Sequence, residues 1–294
     1  MLKSNSIENY WKTLESKKPV PKFVKKINII EFDKLKKSIN CKNEIFVKNL
    51  ARRMYNGEAF IVRNAAKKKL KGIMLNLAKH YDKKQKPSFH KMLDGTPNFH
   101  RIIDKKITKK YSLFAIKHSY FLYNWNIKSK LEKDFKKGVY RHWRYVKFIA
   151  GNSKFQYEKN IPSQMQIDRL QIVNYPHGGG ELRDHVDPRK NQRVVSGLIM
   201  SKKGVDFDQG GFYFRGKNYK KLNIEDRLEI GDSVIFYGSI VHGVEKVDKN
   251  KKLDWKSNDG RWFIGMFVNE SNHVKNRITA SDLSNSTNFK KKAS

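Results

Sequence analysis

The pattern of apolar positions changes near residue 165. Before it, residues 64–81 follow a helical period with lysines on the opposite face, which predicts an amphipathic helix capped by Asn64. The predicted apolar stripe of this helix is Ala66, Leu70, Ile73, Leu77 and His80. Residues 128–151 predict another helix and 83–101 a loop, whereas 109–126 are almost continuously apolar and fit either a strand or a buried helix. The first part is therefore predicted to be mainly helical.

After residue 165, short β-rich runs alternate with turn residues. The runs are 165–175, 194–200, 210–214, 228–238, 242–247 and 261–268. Several short strands at such spacing are typical of a sandwich or barrel. The pattern predicts an α+β protein with three parts: a helical region 1–164 that packs on the barrel and shapes the substrate site, a β core 165–270, and a polar tail 271–294. Residues 276–294 of this tail are predicted to be mobile because they contain few apolar residues.

Charge is distributed as unevenly as the apolar residues. The 294 residues include 63 Lys and Arg against 28 Asp and Glu, a net charge of +35. Residues 1–150 hold 38 basic and 11 acidic residues, so about three-quarters of the surplus lies there. Such a surplus favours an anionic partner. Because 49 of the 63 basic residues are lysines, lysine-rich codon usage is an alternative explanation.

Several classes of protein are excluded by composition. Cys41 is the single cysteine, which excludes an internal disulfide framework and a cysteine-rich metal site. No run approaches the roughly 18 apolar residues of a membrane span. The first residues also lack the apolar segment of a secretory signal. These features predict a cytoplasmic protein without membrane association.

Residues with metal-binding chemistry occur in the β-rich part. His185 and Asp187 follow the glycine-rich turn 177–180, and on an extended segment residues i and i+2 point to the same face. His242 follows 55 residues after Asp187, and Arg261 opens an apolar run 19 residues later. Two histidines and one carboxylate form the facial triad of non-haem Fe(II) oxygenases. A buried arginine suits the far carboxylate of a 2-oxo acid.

These segments resemble a known family. The stretches VNYPHGGGELRDHVDP (173–188), GDSVIFYGSIVHGVEKV (231–247) and GRWFIGMFV (260–268) are similar to the double-stranded β-helix (jelly-roll, cupin-like) domain of 2-oxoglutarate/Fe(II)-dependent dioxygenases, in the prolyl-hydroxylase-like and phytanoyl-hydroxylase-like branches. The resemblance implies that His185, Asp187 and His242 are catalytic and ligate Fe(II), with O₂ as the second cosubstrate. It also implies that Arg261 binds the 5-carboxylate of 2-oxoglutarate and that Tyr175 lies beside this cosubstrate. A carboxylate at 187, rather than a small residue, implies hydroxylation rather than halogenation.

The chain departs from the family in the gap between His242 and Arg261, which is longer than usual. A polar loop over 246–260 accounts for the extra length, and Lys251 or Lys252 is the alternative partner for the carboxylate. The other histidines lack metal-ligand spacing and are predicted to be surface or satisfied buried residues. They are His80, His90, His100, His118, His142, His177 and His273.

Three functions stay open at this point. The leading hypothesis is a hydroxylase of a small, anionic metabolite derived from a sugar, nucleotide or amino acid, with Arg169, Gln171 and Arg183 as candidate contacts. The second, less favoured, is a nucleic-acid- or ribosome-associated oxygenase whose basic half binds phosphates. The third is a cupin-like binding module without activity. The sequence gives no indication of oligomeric state.

Overall fold

The structure, a computed structural model, describes residues 4–17 and 19–283. Its helices, all in the first half, are α1 (Ser4–Lys17), α2 (Phe32–Asn40), α3 (Glu44–Tyr55), α4 (Leu70–Lys84) and α5 (Lys130–Ile149). Short 3-10 turns occur at Ile107–Lys110, Asn124–Asn126, Pro162–Gln164, Lys217–Tyr219 and Glu225–Arg227. The strands of the first half are β1 (Lys26–Glu31), β2 (Glu58–Arg63), β3 (Phe99–Ile103) and β4 (Ala115–Tyr123).

Eight further strands form a jelly roll. They are β5 (Gln166–Tyr175), β6 (Gly180–Val186), β7 (Val194–Ile199), β8 (Gly211–Arg215), β9 (Lys221–Asn223), β10 (Ser233–Tyr237), β11 (His242–Val247) and β12 (Arg261–Glu270). One antiparallel sheet has the order β5-β12-β7-β10 and the facing one the order β6-β11-β8-β9. Successive strands alternate between the sheets except at the β8–β9 hairpin, which is the winding of a double-stranded β-helix. The predicted fold is confirmed.

The first half also contributes strands to these sheets. β2 pairs with β10 and β1 with β2, so both extend one sheet. β4 pairs with β5 and, through Ala115 and Ile116, with β6, and β3 pairs with β4. The ambiguous segment 109–126 is therefore a strand, and the mainly helical region is α+β in detail. β1 and β2, each of six residues, were not predicted.

The helices cover the outer face of the larger sheet. Helix α5 begins with a capping box formed by Ser129 and Glu132, and Val139, Trp143 and other apolar side chains on one face are buried. These join the main hydrophobic core with side chains of β5, β7, β10 and β12.

Helix α4 differs from its prediction. It begins at Leu70, not at Asn64, and His80 is exposed. Asn64 has φ +57° and does not cap the helix; its amide donates to Asp232, and the amide of Ala66 donates to the carbonyl oxygen of Gly231. These contacts hold residues 64–66 against the turn before β10. The helix therefore starts one turn later.

The predicted tail returns to the jelly roll over part of its length. Strand β13 (Ser281–Asp282) pairs with the end of β6, and the Asp282 carboxylate accepts from the amide of Phe114. Part of the tail predicted over 276–294 therefore lies along the edge of β6. Residues 284–294 lie outside the described residues. None of the helices described is long and apolar enough to cross a membrane.

Candidate metal centre and its cavity

The two jelly-roll histidines face each other across a strand pair. His185 on β6 and His242 on β11 are register partners, and their ring centroids lie 4.1 Å apart. Asp187 follows β6 directly, and its Oδ2 lies 3.4 Å from Nε2 of His242. One ligand atom from each residue lies within 4.8 Å of the other two. The structure brings together the three residues that the sequence selected.

Backbone carbonyls fix the tautomer of both imidazoles. Nδ1 of His185 lies 2.9 Å from the carbonyl oxygen of Arg183, and Nδ1 of His242 lies 3.0 Å from that of Ile240. A carbonyl oxygen only accepts, so Nδ1 carries the proton in each ring and donates it. Each Nε2 therefore keeps a free lone pair. A metal-binding histidine is commonly oriented through its second nitrogen in this way.

Burial favours the uncharged forms of His242 and Asp187. It lowers the pKa of His242 well below its ordinary value, and the neighbouring His185 also lowers it. Burial raises the pKa of Asp187, while His185 and Lys117 oppose that shift. His242 is therefore a neutral imidazole at neutral pH, which suits a metal ligand. Two imidazoles and a carboxylate fit a divalent cation such as ferrous iron.

Two glycines permit the turns that begin the site strands. Gly178 has φ +82°, and a Cβ there would lie 2.3 Å from the amide nitrogen of Leu253. Gly260 has φ +110°, and a Cβ there would lie 2.5 Å from the carbonyl oxygen of Tyr175. Only glycine adopts such backbone without strain at so close an approach. The first turn leads into β6 and the second directly into Arg261.

Arg261 is a buried cation held from one side. It is 2 % exposed, and its Nε donates to Oε2 of Glu225 at 2.8 Å. Glu225, which the sequence gave no reason to select, also accepts from the amide of Phe212 at 2.6 Å. Among the described residues, no acceptor is bonded to the terminal nitrogens of Arg261, which lines a cavity. By contrast, Lys251 is half exposed and pairs with Asp208 and Asp248, so the alternative carboxylate partner lacks support.

Tyr175 lies next to Arg261 in the same cavity wall. The two are register partners on β5 and β12, and the Tyr175 ring stacks on Phe263 with centroids 5.9 Å apart. The hydroxyl of Tyr175 is buried and has no hydrogen-bond partner in the described part of the chain. Burial raises the pKa of this phenol, so it remains a neutral donor. A buried hydroxyl without a partner is suited to an acceptor that enters the cavity.

The cavity between the sheets has a volume of about 430 Å³ and an unusual charge balance. His185, Asp187, His242, Arg261 and Tyr175 line it. So do four further cations, Arg101, Lys117, Arg169 and Arg277. Among the described residues of its lining, Asp187 is the only carboxylate.

The additional cations are close to one another. The guanidinium groups of Arg101 and Arg169 lie 5.1 and 5.4 Å from the centroid of Phe121. Burial beside the arginines lowers the pKa of Arg169 to about 10 and that of Lys117 to about 7. Gln171 lines the cavity as predicted, whereas Arg183 does not and instead lies over the ring of Phe114 at 3.7 Å.

One cluster of histidines was not predicted. His100 and His118, predicted to be surface or satisfied buried histidines, lie together with Asp82 outside the cavity lining. The three residues come from α4, β3 and β4, so no spacing along the chain connects them. Only the pairing of β3 with β4, which depends on tertiary structure, brings the two histidines into contact.

Comparisons with known proteins give a likeness in fold. The chain matches no family model and no curated protein. It is similar to the solved structure of a Pseudomonas putida prolyl-4-hydroxylase, with 10 % identity over 71 % of this chain and 91 % of that one and a TM-score of 0.44. It is also similar to Neurospora crassa thymine-7-hydroxylase in complex with alpha-ketoglutarate and thymine, with 14 % identity over 84 % and 86 % and a TM-score of 0.49.

A third similar structure is a prolyl hydroxylase from Trichoplax adhaerens in complex with a peptide fragment of hypoxia inducible factor. It shares 10 % identity over 78 % of this chain and 91 % of that one, with a TM-score of 0.44. Identities this low concern fold alone. The function of this chain therefore has to follow from the residues of its own site.

Proposed function

We propose that this protein is an Fe(II)- and 2-oxoglutarate-dependent dioxygenase that hydroxylates a C–H bond of a small anionic molecule. The observation that carries the proposal is the arrangement of His185, Asp187 and His242. Both imidazoles have Nδ1 committed to a backbone carbonyl, and both lie beside a carboxylate at the wall of a cavity. Two imidazoles and one carboxylate on one side of a cation leave its other positions open.

These three residues would hold the metal through Nε2 of each imidazole and the Asp187 carboxylate. Ferrous iron bound there supplies the oxygen chemistry, which no side chain supplies by itself. The chain contributes the rest. The carbonyls of Arg183 and Ile240 keep the imidazoles oriented, and the apolar walls, which include Phe212 and Phe236, exclude water from the reacting groups.

Arg261 and Tyr175 provide the site for 2-oxoglutarate. With Nε engaged by Glu225, the guanidinium group is fixed in one plane and its terminal nitrogens can make two charge-assisted hydrogen bonds to the 5-carboxylate. Tyr175 is the register partner of Arg261, and its hydroxyl, which has no hydrogen-bond partner among the described residues, is a further donor for the same molecule. Both residues lie in the wall that also contains the three candidate ligands.

The remaining cations support an anionic substrate. Arg101, Arg169 and Arg277 surround the aromatic rings of Phe121 and Tyr123 and have no carboxylate partner among the described residues. Cations buried together without counter-charge lose hydration and repel each other. A phosphate or carboxylate group of a substrate would restore that balance, and the aromatic rings would contact its apolar portion.

The same observation bears on the nucleic-acid hypothesis. The cations used here line an internal cavity of about 430 Å³, a size that suits a small molecule. The surplus of lysines in residues 1–150 is therefore not needed to explain anion binding at the site. Nucleic-acid binding measured at about 50 mM salt, where phosphate contacts are strongest, tests the alternative directly.

The central experiment measures cosubstrate binding and turnover separately. Under anaerobic conditions, the protein mixed with Fe(II) and 2-oxoglutarate should develop the visible absorption of a 2-oxoglutarate chelate. The substitution His185→Ala should abolish this absorption. In air, release of succinate should then be screened against phosphorylated and carboxylated metabolites, each with its neutral analogue. Absence of the chelate would contradict the dioxygenase assignment. A chelate with turnover stimulated only by neutral compounds would contradict the substrate class.

A further inference from the structure

We propose a second metal site, formed by Asp82, His100 and His118, that binds Zn²⁺ and attaches α4 to the outer face of β3 and β4. It is independent of the proposed catalytic centre. Nδ1 of His100 lies 2.8 Å from Nε2 of His118 and 3.3 Å from Oδ1 of Asp82. The third separation, from Nε2 of His118 to Oδ1 of Asp82, is 3.7 Å.

These separations match the size of a zinc coordination sphere. Ligand atoms about 2.0–2.1 Å from Zn²⁺ in a tetrahedral arrangement are about 3.3 Å from one another. The three distances in this cluster lie on either side of that value. Two imidazoles and one carboxylate are also ligands that zinc commonly takes, with water in the fourth position.

Counting protons shows why a cation is needed between the rings. Nε2 of His100 lies 2.8 Å from the carbonyl oxygen of Gln85, so Nε2 carries the proton and Nδ1 has a lone pair. The Tyr120 hydroxyl lies 3.0 Å from both carboxylate oxygens of Asp82 and donates to them. It can then only accept from Nδ1 of His118, at 3.2 Å, which leaves Nε2 of His118 unprotonated.

As a result, the lone pairs of Nδ1 of His100 and Nε2 of His118 face each other, with the two nitrogens 2.8 Å apart. Neutral imidazoles repel in that orientation, whereas a bound cation converts both lone pairs into ligands. Each imidazole also makes a hydrogen bond through its other ring nitrogen, His100 to the carbonyl oxygen of Gln85 and His118 to the hydroxyl of Tyr120. Metal-binding histidines are commonly oriented by a hydrogen bond of this kind. A proton shared by the two rings is the competing explanation, and the experiment distinguishes it.

The position of the cluster indicates what the ion would do. Side chains alternate along a strand, so Phe99 and Arg101 line the catalytic cavity while His100 between them points to α4. On β4, Lys117 likewise lines the catalytic cavity, whereas His118 points to α4. A zinc ion would therefore fix the wall that carries the substrate cations. The side chain of Asp82 is 42 % exposed, which gives the ion a path from solvent, whereas both histidines are buried.

The test uses the full-length His185→Ala/His242→Ala protein, so that the catalytic centre cannot bind metal. Titration with Zn²⁺ against a chromophoric chelator should show one equivalent bound. Asp82→Asn keeps the shape of the side chain and should weaken binding by about a hundredfold, in line with the loss of one ligand. Asp94→Asn is the matched control, since Asp94 is 43 % exposed and pairs with one histidine, His273, at 2.8 Å. It should leave the affinity unchanged.

Two results of the zinc titration would overturn the proposal. One is the absence of a stoichiometric equivalent of zinc in this background, which would leave a proton as the cation between the rings. The other is equal zinc affinity of the Asp82→Asn and Asp94→Asn proteins. His118→Gln, with Co²⁺ absorption as the readout, guards against a folding artefact: a folded variant that keeps the tetrahedral Co²⁺ spectrum also contradicts the assignment.

Discussion

The protein contains two clusters of two histidines and one aspartate whose surroundings differ. In the cluster of His185, Asp187 and His242, each imidazole is oriented by the backbone carbonyl of the residue two positions earlier in the chain. In the cluster of Asp82, His100 and His118, the orienting groups come from elsewhere, from Gln85 and Tyr120. The first lies in a cavity with unpaired cations, and the second lies behind that cavity, with its aspartate at the surface.

The comparison shows that the ligand set alone does not determine chemistry. Both clusters offer the same three donor groups, yet the first lines the cavity that also contains Arg261, whereas the second lies outside that lining. The second cluster lies between a helix and two strands, with both histidines buried and Asp82 partly exposed. Catalysis requires open coordination positions inside a water-excluding cavity, whereas a structural ion requires only ligands from separate elements.

The largest difference between the clusters should appear in turnover. Asp187→Ala removes the carboxylate of the proposed iron site, and we expect 2-oxoglutarate consumption to fall by on the order of a thousandfold or more. Asp82→Asn changes the corresponding residue of the other cluster and should retain most of the activity. Succinate formation at saturating Fe(II) measures both. Equal losses in the two variants would show that the clusters do not have separate roles.

A smaller effect is expected at the arginine that only the first cluster has. Arg261→Lys keeps a positive charge beside Glu225 but loses the planar pair of donors. The KM for 2-oxoglutarate should rise by about tenfold to a hundredfold, as for the loss of one charged hydrogen bond. Arg183→Lys, outside the cavity lining, is the matched control. An unchanged KM in Arg261→Lys would exclude Arg261 as the carboxylate site.

Arg169 tests whether the other cations of the cavity bind substrate. Arg169→Gln should raise the KM of the anionic substrate by about tenfold, equivalent to one charged hydrogen bond. Because burial lowers the pKa of Arg169 to about 10, the free protein should be at least as stable after the substitution, which thermal unfolding would measure. A lower Tm together with an unchanged KM would indicate that Arg169 has a structural role instead.

A buried histidine that belongs to neither cluster should make the stability of the protein depend on pH. Burial, together with the nearby charge of Arg141, lowers the pKa of His142 from 6.5 to about 3. The unfolded chain therefore binds more protons between those pH values, so stability decreases as the pH falls below about 6.5. At pH 5 this amounts to on the order of 2 kcal/mol. His142→Phe should reduce the loss of unfolding free energy between pH 7 and pH 5 by that amount in urea titrations. An identical pH dependence in both proteins would contradict this interpretation.

The parts of the molecule that could be predicted are those with local signals. Alternation of apolar residues and turn residues identified β5, β7, β8, β10, β11 and β12, with errors of up to five residues at their ends, but did not identify β6 or β9. The i, i+2 spacing of His185 and Asp187 indicated one face, and the apolar strand after Arg261 indicated its burial. The glycines at 178 and 260 belong to the same local signal, because their positive φ is needed where they occur.

The remaining features depend on contacts between distant segments. Glu225 lies in an exposed-looking polar stretch, and only the fold places it against Arg261. Asn64 is a good helix cap by type, but the contact of Ala66 with Gly231 moved the start of α4. Asp82, His100 and His118 come together through the packing of α4 on β3 and β4. None of these could be read from spacing along the chain.

The central pairing of β5 with β12 also has a consequence for the synthesis of the protein. The ten residues of β5, from Gln166 to Tyr175, match the ten of β12, from Glu270 back to Arg261. While the chain is being translated, β5 and β7 must wait for β12, the last of the eight jelly-roll strands to emerge, and contacts so distant in sequence form slowly. Their open edges are exposed to aggregation during that interval. We therefore expect nascent chains to need protection by a chaperone until β12 has emerged, and iron to be acquired only afterwards.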